Sequence, residues 1–239
     1  MGSKIKLLAF DLDGTVTQHK SQIEKDNLEL FTALSKKYRL LMVGAGSCMR
    51  IFNQLQKFPI DIIGNYGLQF AKYNEQTGEL EIKRDVVLPV DKKSVAKRAR
   101  ELRYRFGFTE FTGESVEYHP SGCITIAILG TKANLSDKLV FDPDRSRRRA
   151  IHDDVKAAFP EYTVFIGGTS SFDMAPAPYD KAYALSEYCR EHGISHDEVV
   201  YFGDDYGKGG NDESVYLSDF NFIKVDDYRT LPQKAAFLL

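Results

Sequence analysis

The chain has 239 residues, 43% of them hydrophobic and 28% charged, with a formal net charge of -2. That length allows one large domain or a core domain with an insert, and the balanced charge excludes a globally basic nucleic-acid binder, so an anionic partner must be held locally. Three widely spaced cysteines, Cys48, Cys123 and Cys189, form no CxxC pair and read as small buried hydrophobes, while no apolar run approaches the ~20 residues of a membrane span. With no signal-peptide pattern in MGSKIKLL, the expected setting is the cytoplasm, without a membrane or nucleic-acid partner.

In chain order, IKLLAF (5–10), RLLMVGAG (39–46), IDIIGN (60–65), DEVVYFGDD (197–205) and NFIKV (221–225) are short apolar runs bounded by Gly, Asp or Asn, the pattern of buried parallel strands. Between the first two, Ser21 and Glu24 have capping-box spacing, and Leu28, Leu30, Phe31 and Leu34 mark one helical face. Strand, helix, strand at both ends of the chain predicts a doubly wound α/β core, Rossmann-like with a parallel sheet and with functional residues at the carboxyl ends of its strands.

The middle differs. SVAKRARELRYRFGF reads as a helix, 115–119 and 123–129 as hairpin strands joined by Pro-Ser-Gly, RSRRRAIHDDVKAAF as a helix, and YTVFIGGTSSFDMAP as paired strands, one of which extends the hairpin sheet. The division expected is a core of 1–84 and 177–239 with an α+β insert at 85–176. Arg145, Arg147, Arg148 and Arg149 read as a solvated helix start. The apolar run 123–129 suits a buried strand, and it is also the surface through which two copies of the insert could pair.

Asp11 and Asp13 emerge where the first strand ends, on one side of the chain by alternation, with Leu12 turned back to the core. Two carboxylates in a partly buried cleft repel unless one is protonated or a cation lies between them. A hard divalent ion such as Mg2+ meets that need with oxygen ligands and a substrate phosphate, and Asp204 offers a third carboxylate from another strand end.

DLDGTVT, VGAGS, PYDKAYAL and FGDDYGKGGNDE resemble, in order, the four motifs of the haloacid dehalogenase (HAD) superfamily, across essentially the whole chain. The resemblance implies that Asp11 is a nucleophile forming an aspartyl phosphate, that Asp13 is general acid and base, and that Asp11, Asp13 (through its carbonyl) and Asp204 hold Mg2+. Lys181 would neutralise the nucleophile and the phosphate. Gly46 or Ser47 fills the phosphate-binding place, and Ser47 is chosen because it carries a hydroxyl. Asn211 and Asp212 would orient Lys181 and metal-bound water, with Asp205 a weaker acidic candidate that reads as a solvated loop residue.

An α+β insert between the second and third motifs is the position of the type IIB cap, and VEYHPSGCITIAILG, IGGTSSFDMAPAPYDKAYAL and FGDDYGKGGNDE are most similar to the eukaryotic phosphomannomutase family. That likeness implies cap contacts to a sugar from Ser171 and Asp173, with Thr169 beside them. Where the family places phosphate-gripping cap arginines, this chain has Thr112 and His119, and Lys20 stands for a further arginine. Arg100, Arg103 and Arg105 are candidates to compensate, although each reads first as a solvated helix residue. The expected activity is hydrolysis of a small phosphomonoester, a phosphorylated sugar. A phosphohexomutase is the alternative, and a non-catalytic ligand-binding protein on the same fold is the third reading.

Overall fold

The computed structural model describes residues 5–239. The chain divides into two compact units: one holds the chain to Val86 with Asp180–Gly207 and Asp212–Leu239, and the other holds Val87–Tyr179 with Lys208–Asn211.

In the first unit, strands β1 (Leu7–Phe10), β2 (Arg39–Val43), β3 (Asp61–Gly64), β4 (Gln69–Asn74) and β5 (Glu79–Asp85) are joined by β10 (Val199–Gly203) and β11 (Asn221–Lys224). They form a seven-stranded sheet in the order β11-β10-β1-β2-β3-β4-β5, parallel from β11 to β3 and antiparallel at β4 and β5. Helices α1 (Lys25–Leu34), α2 (Cys48–Gln54) and α8 (Leu231–Ala235) contribute to one apolar cluster with Leu8 and Phe10. Leu7 and Ala9 pack instead with α6 (Lys181–His192) and Val215 of α7 (Glu213–Tyr216). Burial on both faces is why these strands read as continuous apolar runs rather than alternating ones.

One local expectation changes here, and two features were not anticipated. Glu24 is the N-cap of α1 and makes no side-chain cap bond, so the Ser21/Glu24 capping box does not form. The β4–β5 hairpin was not anticipated, because an edge hairpin such as ELEIKRD keeps charge on its surface and lacks an apolar run. On α6, the buried face is Ala184, Leu185, Tyr188 and Cys189 with Lys181, whereas Tyr183 is exposed.

The second unit carries a four-stranded sheet in the order β6-β7-β9-β8, built from β6 (Val116–Tyr118), β7 (Ile124–Ala127), β8 (Tyr162–Gly167) and β9 (Ser171–Pro176). Helices α3 (Lys92–Phe106) and α5 (Ser146–Ala158) bury Val95, Ala99 and Val155 against Ile124, Ile126, Phe172, Met174, Val164 and Ile166. The run 123–129 is therefore an inner strand whose isoleucines belong to the core of this unit. Helix α4 (Leu135–Phe141), unanticipated, has no buried residue.

Two arginines expected to be solvated are buried. Arg148 is 0% exposed, pairs through Nε with Asp142 at 2.8 Å, and donates from Nη1 to the carbonyls of Gly167, Gly168 and Ser171. Arg103, 5% exposed, donates to the carbonyls of Phe108, Ile128 and Ala127. A guanidinium has five donors in a planar fork, so it can satisfy several carbonyls at loop ends that no strand partner reaches.

Candidate active site

The site is built at the carboxyl ends of β1 and β10. Past Phe10 the strand pairing continues, Asp11 N donating to Phe202 O at 2.9 Å, which brings the Asp11 carboxylate to the sheet end in a buried position, 4% exposed. Leu12 turns back into the core. A tight loop follows, closed by Gly14 N donating to Thr17 O at 2.8 Å. Gly14 has φ +104, and a Cβ there would lie 2.5 Å from Asp204 Oδ2, so the glycine both makes the turn and clears room for that carboxylate. Thr15 Oγ1 donates to Asp204 Oδ1 at 2.9 Å.

At the end of β10, Asp212 folds back beneath Gly203, whose missing Cβ would lie 2.7 Å from Asp212 Oδ2. That oxygen accepts the amides of Asp204 (3.1 Å) and Asp205 (3.0 Å), while Oδ1 accepts from Lys181 Nζ (2.8 Å) and Tyr201 Oη (2.6 Å). Asp180 caps α6 by accepting from Tyr183 N, and Lys181, in the first turn and 0% exposed, also donates to Asp11 Oδ1 at 2.5 Å.

Ligand oxygens of Asp11, Asp204 and Asp212 all lie within 4.8 Å of one another. Three carboxylates share one ammonium, a formal surplus of two negative charges. Burial pushes Asp204 up to about 6, helped by Asp212. Burial also pushes Asp11 well above the carboxylate range, with Asp212 and Asp204 adding to it and Lys181 opposing. Burial works against charge on Lys181 too, but Asp11 and Asp212 outweigh it and hold the ammonium protonated. A buried, all-oxygen donor set with a twofold charge deficit fits a divalent cation.

The carboxylate cluster brings in Asp212, which the resemblance implies as a residue orienting Lys181 and metal-bound water, whereas from Asp13 it implies the backbone carbonyl. Asp13 does not crowd Asp11; it accepts from Lys20 N (2.8 Å) and Gln54 Nε2 (2.7 Å) and pairs with the guanidinium of Arg50. Burial would raise its pKa, yet those donors hold it below the usual carboxylate range. The repulsion expected between Asp11 and Asp13 thus arises between Asp11 and the two aspartates from the other end of the chain.

Ser47 is the N-cap of α2, its Oγ accepting from Arg50 N at 3.3 Å, and Gly46 O accepts from Asn65 N at 2.8 Å. A Cβ on Gly46 would lie 2.5 Å from Arg50 Nε, so the guanidinium lies across that glycine as well as on Asp13. Lys20 has an exposed side chain and a left-handed backbone, φ +58. Asp205, expected to be solvated, is buried. Asn211 belongs to the second unit with Lys208–Asn211.

Within the second unit, Asp173 Oδ1 accepts from Thr125 Oγ1 at 2.9 Å, and His119 Nε2 lies 3.1 Å from the same hydroxyl. Ser171 Oγ donates to Gly167 O at 3.0 Å. Thr169 lies in the exposed turn between β8 and β9, so strand alternation does not pair it with Ser171 as expected. Thr112 is exposed, its amide donating to Leu129 O. Arg105 pairs on the surface with Asp154 at 2.6 Å, and Arg100 is exposed.

Five residues here escaped sequence reasoning: Thr15, Arg50, Gln54, Thr125 and Tyr201. Tyr201 had a signal, since a phenol within an otherwise apolar buried strand needs a partner for its hydroxyl. The other four had none that spacing alone could carry.

Solved structures share this architecture. An IMP-nucleotidase of Plasmodium falciparum with IMP bound superposes with a TM-score of 0.68 at 16% identity, covering 98% of this chain and 68% of that one. A phosphatase of the haloalkanoate (HAD) superfamily from Bacteroides thetaiotaomicron does so with 0.59 at 15%, covering 91% and 82%. The chain has the HAD fold. The sequence pattern described as eukaryotic phosphomannomutase matches residues 28–225. The chain belongs to that family. Among curated relatives, the phosphomannomutase of Schizosaccharomyces pombe is 26% identical over 222 residues, covering 88% of this chain and 85% of its own. That of Saccharomyces cerevisiae is 25% identical over 225, covering 89% and 85%. Among the described residues no helix is long and apolar enough to cross a membrane.

Proposed function

We propose that this HAD enzyme is a Mg2+-dependent phosphotransferase that hydrolyses a small phosphomonoester, a phosphorylated sugar, through an aspartyl phosphate on Asp11. The observation that carries the phosphoryl chemistry is the buried contact of Lys181 Nζ with Asp11, 2.5 Å, inside a cluster of three carboxylates. A carboxylate at a strand end, neutralised by a fixed ammonium, is a nucleophile whose charge matches a phosphate group.

In the proposed first step, an oxygen of Asp11 forms a bond to phosphorus as the ester P–O bond breaks, and Asp13, which its donors hold ionised in the free protein and which must therefore first take up a proton from solvent, passes that proton to the leaving oxygen. In the second, water attacks phosphorus, yields a proton to Asp13, and the Asp11–phosphorus bond breaks. Lys181 stays fixed by Asp212 throughout, and Ser47 and Gly46 bind the non-bridging oxygens. Asp11 and Asp204, with Asp212 or the carbonyl of Asp13, would hold Mg2+, which supplies charge neutralisation at the phosphate.

Water rather than a sugar hydroxyl is favoured as acceptor by the inserted unit. Thr112 and His119 stand where the family resemblance places phosphate-gripping arginines, and Arg103 and Arg148 are committed to backbone carbonyls. The family match and the names of the curated relatives favour the second reading, a phosphohexomutase. Phosphate release from p-nitrophenyl phosphate, with and without Mg2+ and in Asp11→Asn, tests the covalent chemistry. Mannose 1-phosphate with a catalytic amount of hexose bisphosphate separates the two readings: free phosphate supports hydrolysis, and hexose 6-phosphate accumulating without it overturns hydrolysis in favour of the mutase.

A further inference from the structure

Tyr201 is a phenol in a strand whose five positions are all buried, and it is itself 0% exposed. Strand pairing sets it beside the small Ala9 of β1, and its ring packs on Phe222 with centroids 5.5 Å apart. The hydroxyl donates to Asp212 Oδ1 at 2.6 Å. A carboxylate accepts through about four lone-pair sites, two on each oxygen. On Asp212 all of them are taken. Oδ2 accepts the backbone amides of Asp204 (3.1 Å) and Asp205 (3.0 Å), and Oδ1 accepts from Lys181 Nζ (2.8 Å) as well as from Tyr201. Asp204 accepts on Oδ1 from Thr15, and Asp11 on Oδ1 from Lys181, each short of that full complement. The three carboxylates are close enough to share one ion, yet they do not have equal freedom to ligate it.

We propose that Tyr201 is a positioning residue that keeps the divalent cation off Asp212, so that Asp212 serves only as the seat of the Lys181 ammonium. This rests on the Mg2+ reading above. Of the four donors, the two amides are fixed in the backbone that Asp212 N itself ties down by donating to Asp205 O at 3.0 Å. Lys181 is bound by charge to Asp11 as well as to Asp212. The phenol is the one neutral side-chain donor. Without its hydroxyl, Asp212 Oδ1 regains a lone pair at the atom that seats Lys181, and a buried carboxylate with a lone pair to offer is drawn to a cation in the same cluster. The cation then gains a third carboxylate while Lys181 loses a fixed partner.

Tyr201→Phe keeps the ring on Phe222 and removes only the hydroxyl. Calorimetric titration of the full chain with Mn2+ at pH 7.5, with circular dichroism to verify folding, is expected to show the Kd falling about tenfold in the variant, because the charge count of the ligands tunes an oxygen site's affinity. A hydroxyl that merely braced the site would act with the opposite sign, its loss weakening binding by about tenfold or more. That weakening, or an unchanged Kd, overturns the proposal. A crystal structure of the Mn2+-loaded wild type tests it without any variant: Asp212 still bonded to Tyr201 and Lys181 is expected, and an ion ligated by Asp212 beside an intact hydroxyl overturns it. Phosphate release from p-nitrophenyl phosphate separates this proposal from the reading beneath it. Tighter Mn2+ binding in the variant of a protein that releases no phosphate supports the role of Tyr201 and refutes the phosphotransferase reading. Phosphate release with an unchanged Kd refutes the role of Tyr201 alone, and no Mn2+ binding by either protein refutes both.

Discussion

Replacing Lys181 by Met keeps the length of the side chain and removes the one ammonium among three carboxylates. In the metal-free protein the variant leaves Asp11, 4% exposed, and Asp212, 0% exposed, without the partner that sits 2.5 and 2.8 Å from them. Removing one partner of a buried pair costs ~3–5 kcal/mol, and that loss is expected for unfolding in urea with EDTA at pH 7.5. Mg2+ should narrow the gap, since a cation at about 100 times its Kd contributes ~2.7 kcal/mol and the variant's cluster has no ammonium competing for it. The pH dependence has a definite sign. Asp204 is raised from its ordinary 3.8 to about 6, so the folded metal-free protein holds a proton that the unfolded chain releases in that window. Stability contributed by this group therefore falls as pH rises from 3.8 to about 6 and is flat above. A loss below about 1 kcal/mol in EDTA, or a gap indifferent to Mg2+, would refute the reading of this cluster as charge-deficient.

Gly14→Ala forces a Cβ onto Asp204 Oδ2 at φ +104 and should lower stability by ~1–3 kcal/mol, with a loss of the proposed phosphoryl-transfer activity larger than the loss of folded protein at 25 °C. Arg148→Met leaves Asp142 buried and unpaired and should cost ~3–5 kcal/mol by urea unfolding, more than the surface pair Arg105–Asp154, worth at most ~1 kcal/mol, costs when broken. The double change Thr112→Arg with His119→Arg should tighten binding of a hexose bisphosphate by calorimetry, and unchanged affinity would count against the missing-grip argument for the proposed hydrolysis.

Much of the core was legible because its strands are buried on both faces. Runs such as KLLAF and EVVYF have no polar side to display, and the functional groups follow at their carboxyl ends, which is where Asp11 and Asp204 stand. The β4–β5 hairpin was illegible for the opposite reason: its charged residues carry no period that distinguishes an edge strand from a loop. The arginines failed differently. RSRRR has the composition of a solvated helix start, yet Arg148 lies inside because the β8–β9 turn has three carbonyls to satisfy, and only the fold brings them within reach of one guanidinium.

By itself the sequence determined the layered α/β class and the residue types of the proposed cation and phosphate site, since apolar periodicity and motif order are local properties of the chain. Which carboxylates face one another was decided only by the tertiary structure. Asp13, two residues from Asp11, is drawn away by Arg50, Gln54 and the Lys20 amide, while Asp212, 201 positions distant, is folded under Gly203 to meet Lys181 and Tyr201. Charge pairing in a buried site depends on distance through space and on which donors reach each oxygen, and neither quantity is written in sequence separation.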